Sequence, residues 1–127
     1  MDKNNYSLNW FEIPVADFER ARHFYQVIFS VHLDEFNLVQ MKLAMFPPLP
    51  HSKKPTGALV QSKYHHPSSD GPLIYLNSDP DLSQVLEKVE EMGGKVLVPK
   101  TMVSPDLGYM AFIADTEGNR IAIHSNT

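Results

Sequence analysis

Six histidines and 15 acidic residues, with no cysteine, set the chemistry open to this chain of 127 residues. Without a thiol, disulfides, thiolate nucleophiles and Cys-ligated zinc or iron–sulfur sites are excluded; imidazole and carboxylate remain for proton transfer or metal ligation. Among these groups Glu12 stands out. It lies in an apolar run two residues from Trp10, and alternate side chains of a strand share a face. A carboxyl in apolar surroundings beside an indole holds its proton to higher pH, which suits a general base or acid. The competing reading is a carboxylate paired with His124 or Tyr75 that does no chemistry. The remaining candidates carry less. His65 and His66 are adjacent in a loop, where neighbouring side chains rarely converge on one ion, and His51 lies in a proline-rich stretch. His23 sits beside Phe24 and Tyr25 on the open side of a helix. Ser68-Ser69-Asp70 reads as a turn, and no glycine-rich phosphate loop is present.

The elements that must position these groups are legible from periodicity. Residues 8–15 form an apolar strand. Asp17 then stands where a helix cap belongs, followed by Phe18, Ala21, Phe24, Tyr25 and Ile28 at helical spacing. Residues 73–77 form a second such strand. Asp81 caps a second helix with the apolar stripe Leu82, Val85, Leu86, Val89 and Met92, and Gly93-Gly94 ends it. Strand-like runs follow each helix, at 31–33, 39–46 and 57–62, then at 95–99, 108–114 and 120–124. Asp115-Thr116-Glu117-Gly118-Asn119 makes the last hairpin turn. Polar and proline-rich loops cover 47–55 and 65–71. Strand, helix and three strands thus occur twice, with repeat one at about 6–64 and repeat two at about 71–125 of a single domain, 1–127. Val15-Ala16-Asp17-Phe18 echoes Asp79-Pro80-Asp81-Leu82, and residues 56–62 echo 119–125, pairing Gln61 with His124.

Composition sets the outer limits. Apolar residues make up 43% and charged residues 20%, which is ordinary for one globular domain. A net charge of −4, with scattered Lys and Arg, argues against a nucleic-acid partner. No apolar run approaches the roughly 20 residues that span a bilayer. The polar Met1-Asp2-Lys3-Asn4-Asn5 lacks the apolar core of a secretion signal, so a cytoplasmic location is expected.

A paired βαβββ unit with these motifs resembles the glyoxalase, bleomycin-resistance and extradiol-dioxygenase (vicinal oxygen chelate) superfamily. The most specific pieces are Phe11-Glu12-Ile13-Pro14-Val15-Ala16-Asp17, Ala21-Arg22-His23-Phe24-Tyr25, and Asp115-Thr116-Glu117-Gly118-Asn119-Arg120-Ile121. Gly71-Pro72-Leu73-Ile74-Tyr75-Leu76-Asn77 is similar to a subgroup of short glyoxalase-like proteins, mostly without assigned activity. The resemblance implies an α+β fold in which two βαβββ repeats form a curved mixed sheet, a half-barrel, with helices outside. The family often has Gly where Ser30 ends the first helix.

Carried over residue by residue, the family's metal-ligand positions fall on Trp10, on Leu73 or Ile74, on Ala122 and near Leu59. None of these side chains binds a metal. The resemblance therefore implies a glyoxalase-like small-molecule-binding protein without the family metal and without a cofactor. Its pocket would be lined by Trp10, Gln61, Tyr75, Asn77 and Phe112, with Glu12 and His124 as polar anchors, and would take a small aromatic or amphipathic ligand. The alternative is a lyase, isomerase or dioxygenase that uses Glu12 as base or a divalent metal displaced onto Glu12, Gln61 and His124. Family members of this length pair as dimers, so a homodimer is implied.

Overall fold

The computed structural model describes residues 3–4 and 7–127; the others include part of the polar N-terminal stretch and the start of repeat one. The element order is β1 (Phe11–Pro14), α1 (Phe18–Phe29), β2 (Asp34–Leu38), β3 (Met41–Met45) and β4 (Gly57–Gln61), then β5 (Tyr75–Asn77), α2 (Ser83–Val89), β6 (Lys95–Ser104), β7 (Gly108–Ala114) and β8 (Arg120–Ser125). The strands form two four-stranded sheets in the same order, β1-β4-β3-β2 and β5-β8-β7-β6. In each, the first strand lies parallel to the last and the other pairs are antiparallel. The fold is α+β, built from two similar βαβββ halves. Among the described residues no helix is long and apolar enough to cross a membrane.

α1 forms as its sequence dictates. The Asp17 carboxylate accepts from the Arg20 amide at 3.1 Å, and Phe18, Ala21, Phe24, Tyr25 and Ile28 are buried on one stripe. Each large side chain of that stripe contributes about 1.5–3 kcal/mol by leaving water. Ser30 ends the helix in the left-handed region at φ 53°. One core holds this stripe together with Leu82, Val85 and Val89 beside α2 and the helix-side residues of both sheets, Ile13, Leu59, Leu76, Ala111, Ile113, Ile121 and Ile123.

Several expected boundaries move. Residues 31–33 are not a strand; the strand is Asp34–Leu38, exposed at every position, which therefore carries no burial periodicity. β5 begins at Tyr75 rather than at residue 73. β6 continues past Pro99 to Ser104 because its ladder with β7 shifts register between Val98 and Thr101, where a residue without an N–H is tolerated. α2 starts one residue later than expected, with Leu82 at the cap, while the Asp81 carboxylate accepts from the Ser83 amide at 2.9 Å.

Past α2 the chain turns at Gly93, with φ +101°, and the Gly94 amide closes on the Val89 carbonyl at 2.9 Å. A Cβ at Gly94 would lie 2.6 Å from the Ala114 carbonyl oxygen and 2.9 Å from the Phe24 ring. Gly94→Ala is expected to cost about 2 kcal/mol, since backbone must move to admit it. A denaturation midpoint within error of the parent would contradict this close approach.

Candidate functional site

Strand register decides which side chains can share a pocket. In the first sheet Glu12 pairs with Ala58 and Ala58 with Met45, while Pro14, Val60 and Leu43 form the next row. These residues face away from the helices. Leu43, Ala58 and Val60 make a second small apolar cluster there, with Trp10, Met41 and Met45 packed on it. In the second sheet the rows turned away from the helices are Tyr75, Ala122 and Phe112, then Asn77, His124 and Met110. The Tyr75 and Phe112 rings meet edge to face at 6.3 Å. Trp10 and Glu12 thus lie on one outer sheet face, and Tyr75, Asn77, Phe112 and His124 on the other.

Gln61 belongs to neither face. It is paired with Lys42 on the helix side, and its Oε1 accepts from the Phe18 amide at 2.9 Å. Ser125 does the same in the second half, its Oγ accepting from the Leu82 amide at 2.9 Å. The structural counterpart of Gln61 is therefore Ser125, not His124, and the sequence echo is out by one residue. Leu59 likewise points into the main core, and Ala58 takes the outer-face position expected of it.

Glu12 and His124 are engaged separately. The Trp10 indole N–H donates to Glu12 Oε2 at 3.2 Å, and Glu12 Oε1 lies 2.7 Å from His65 Nε2. His65 Nδ1 lies 2.6 Å from Ser62 Oγ, which also accepts from the Tyr64 amide at 3.0 Å. His124 Nε2 instead lies 2.5 Å from the Leu107 carbonyl oxygen. Among the described residues no hydrogen bond joins Glu12 to His124 or to Tyr75. His65 is the partner that sequence reasoning missed. The one available signal was Ser62-x-x-His65 at the end of a strand, a spacing that closes a turn.

The motif residues at the last hairpin have another task. Asp115 Oδ2 accepts from the Tyr25 hydroxyl at 2.7 Å and from Asn119 Nδ2 at 2.9 Å, while Oδ1 accepts from the amides of Glu117 and Asn119. Burial raises the Asp115 carboxyl above its ordinary range, against the pull of those donors. Burial likewise pushes the Tyr25 hydroxyl well up, helped by the Asp115 charge. Glu117 reaches α1 of the other half. Its oxygens accept from the Ala16 amide at 2.9 Å, the Asp17 amide at 2.7 Å, and Arg20 Nε and Nη2 at 2.8 and 3.0 Å. Burial opposes its charge, yet Arg20 and the two amides hold it down to about 2. Asn119 Nδ2 also donates to the Pro14 carbonyl at 2.7 Å. This turn clasps the two halves together and anchors the end of β1, the strand that carries Glu12.

The chemistry of the donors does not fit the family's divalent metal. Trp10, Ala122, Ala58 and the apolar Leu73 and Ile74 offer no ligand atom at the expected positions. Among the described residues no three His, Asp or Glu side chains are grouped to hold an ion.

Residues 7–123 match the family described as the Glyoxalase/Bleomycin resistance protein/Dioxygenase superfamily. A glyoxylase-like domain-containing protein of Didymella fabae is 33% identical over 115 residues, 88% of each chain. The crystal structure of TnmS3, an antibiotic-binding protein from Streptomyces sp. CB03234, is similar with a TM-score of 0.68 at 23% identity, covering 99% of this chain and 100% of that one. The trypanothione-dependent glyoxalase I of Leishmania major gives a TM-score of 0.69 at 16% identity, over 96% of this chain and 88% of its own. Likeness at such identities speaks for the fold alone. With its motifs, its paired halves and this match, the chain belongs to the Glyoxalase/Bleomycin resistance protein/Dioxygenase superfamily.

Proposed function

We propose that this protein binds a small aromatic or amphipathic molecule without a metal, on the sheet faces turned away from the helices. The observation that carries the reading is the apolar patch of Leu43, Ala58, Val60, Met41 and Met45 under Trp10, with a hydrogen-bonding carboxylate at its edge. Aromatic faces over apolar floors with a few polar groups suit flat organic ligands. On the second sheet Tyr75 and Phe112 offer a similar floor, with Asn77 and His124 as polar anchors. An antibiotic-binding protein from Streptomyces shares this fold, so the fold itself is compatible with such a ligand. The reading includes a homodimer, in which the outer face of one chain is covered by a second copy. Phe36, Leu38, Tyr75 and Leu107 are about half exposed or more, and pairing would remove them from water. A cytoplasmic location and the absence of a nucleic-acid partner belong to the same reading.

Trp10 is the single tryptophan, so its fluorescence reports on the proposed face. Titration with a panel of flat aromatic compounds should change that emission for the compounds that bind. Trp10→Ala should weaken their binding about tenfold, as expected for loss of a stacked ring. Binding that leaves the emission unchanged and survives Trp10→Ala would move the pocket elsewhere. The second reading, a lyase or isomerase with Glu12 as base, rests on the 2.7 Å contact between Glu12 and His65. It predicts turnover that Glu12→Gln abolishes.

A further inference from the structure

We propose that Ser62, His65 and Glu12 form a nucleophile, base and orienter that hydrolyse small carboxylic esters. The three side chains come from one tight turn and one strand. β4 ends at Gln61, and the His65 amide closes on the Ser62 carbonyl at 3.3 Å, which brings a side chain three positions on back over the serine. The nearer ring nitrogen, Nδ1, therefore meets Oγ at 2.6 Å, and the far nitrogen, Nε2, reaches Glu12 at 2.7 Å. An ionised carboxylate only accepts, so Nε2 carries the proton of the neutral ring. Nδ1 is then the acceptor for the Ser62 hydroxyl. Glu12 is itself fixed by the Trp10 indole N–H at 3.2 Å. The Tyr64 amide donates to Oγ at 3.0 Å and favours the alkoxide form. The relay is accessible but sheltered, with the His65 side chain 17% exposed. Ser62 and His65 open onto a cleft of about 710 Å³ floored by Val15, Leu38 and Met41, with Lys42 at its rim. An ester with a short apolar acyl chain fits that floor, and the acid it releases is attracted to the lysine.

In the first half-reaction the Ser62 hydroxyl proton passes to His65 Nδ1 as Oγ bonds to the acyl carbon. The carbon–oxygen bond to the alcohol then breaks, and the leaving oxygen takes the proton from Nδ1. In the second, Nδ1 removes a proton from water, whose oxygen bonds to the acyl carbon, and the Oγ–carbon bond breaks to return the serine hydroxyl. Glu12 touches no reacting atom. It positions the ring and stabilises the imidazolium.

The test is labelling by a fluorophosphonate with peptide mapping, paired with p-nitrophenyl butyrate turnover by the full chain. One equivalent of label on Ser62 is expected, and turnover should fall about 100-fold or more in Ser62→Ala and His65→Gln. Glu12→Gln should lower kcat about tenfold and leave KM within about twofold, since Glu12 orients the ring through the 2.7 Å contact and touches no reacting atom. A mere folding role would not lower kcat with KM unchanged. Label on another residue, or Ser62→Ala turnover within about twofold of the parent, would overturn the proposal. If Ser62→Ala does not fold, Ser62→Cys serves instead: iodoacetamide must react faster than with free cysteine, and slowly after His65→Gln. A rate equal to free cysteine counts against the relay. Failure of all these tests leaves the Trp10 titration untouched, so the two readings fail separately.

Discussion

Asp115→Ala is expected to destabilise the protein by about 3–5 kcal/mol, because it strands several buried donors at once. Asp115 is 4% exposed, and its two oxygens accept from the Tyr25 hydroxyl, from Asn119 Nδ2 and from two backbone amides. Tyr25 is fully buried, so its hydroxyl would have no water to replace the lost acceptor. For a chain of this size the loss corresponds to a fall of about 10–20 °C in thermal midpoint. Tyr25→Phe removes a single bond and should cost about 1–2 kcal/mol. Because Asn119 also holds the Pro14 carbonyl, the alanine variant should loosen β1 and change the environment of Trp10. Thermal unfolding followed by Trp10 fluorescence measures both effects. A midpoint lowered by less than about 3 °C would show that the turn finds other partners for these donors.

The second large effect is electrostatic. Glu117→Gln keeps the shape of the clasp but removes the charge that binds Arg20 and the Ala16 and Asp17 amides just before α1. The Glu117 side chain is fully covered, whereas that of Arg20 is 52% exposed. The displacement of the Glu117 pKa from 4.5 to about 2 corresponds to about 3 kcal/mol, and solvent around Arg20 screens this to about 2 kcal/mol. The sign follows from linkage. A carboxyl whose folded pKa is depressed stabilises the fold above its unfolded pKa, and that contribution is lost as pH falls from about 4.5 to about 2. Asp81, held at about 2 by Lys100 and the Ser83 amide and hydroxyl, acts in the same direction. Asp115, whose carboxyl is raised, acts in the opposite one, since the folded state takes up its proton more readily. The parent should therefore lose stability steeply in acid, while Glu117→Gln starts lower at neutral pH and declines less. Urea midpoints of both proteins at neutral pH and near pH 2.5 test this, and parallel pH curves would falsify it.

These two carboxylates show where sequence reasoning stopped. Asp115-Thr116-Glu117-Gly118-Asn119 is legible as a hairpin turn, and as part of the family signature. Its role as a clasp is not legible, because Glu117 and Arg20 lie 97 residues apart and Tyr25 and Asp115 lie 90 apart. The partner of Glu12 is hidden from the sequence for the same reason. His65 lies 53 positions away in a loop whose path periodicity does not describe. Gln61 shows a different limit. Its strand is legible, yet a one-residue slip in the repeat puts its side chain on the opposite face.

The features legible in the chain alone are local: the cap and buried face of α1, the hairpin before β8 and the doubled element order. Spacing of apolar residues and turn chemistry act within a few positions, so they are readable without a partner. The exposed β2, the helix-side placement of Gln61, the clasp of Glu117 on Arg20 and the chain from Ser62 through His65 to Glu12 emerge only once the chain has folded. Each depends on register or on contacts between distant segments. A one-residue change of register reverses a strand's faces, and a hydrogen bond forms only when the whole fold brings donor and acceptor within about 3 Å.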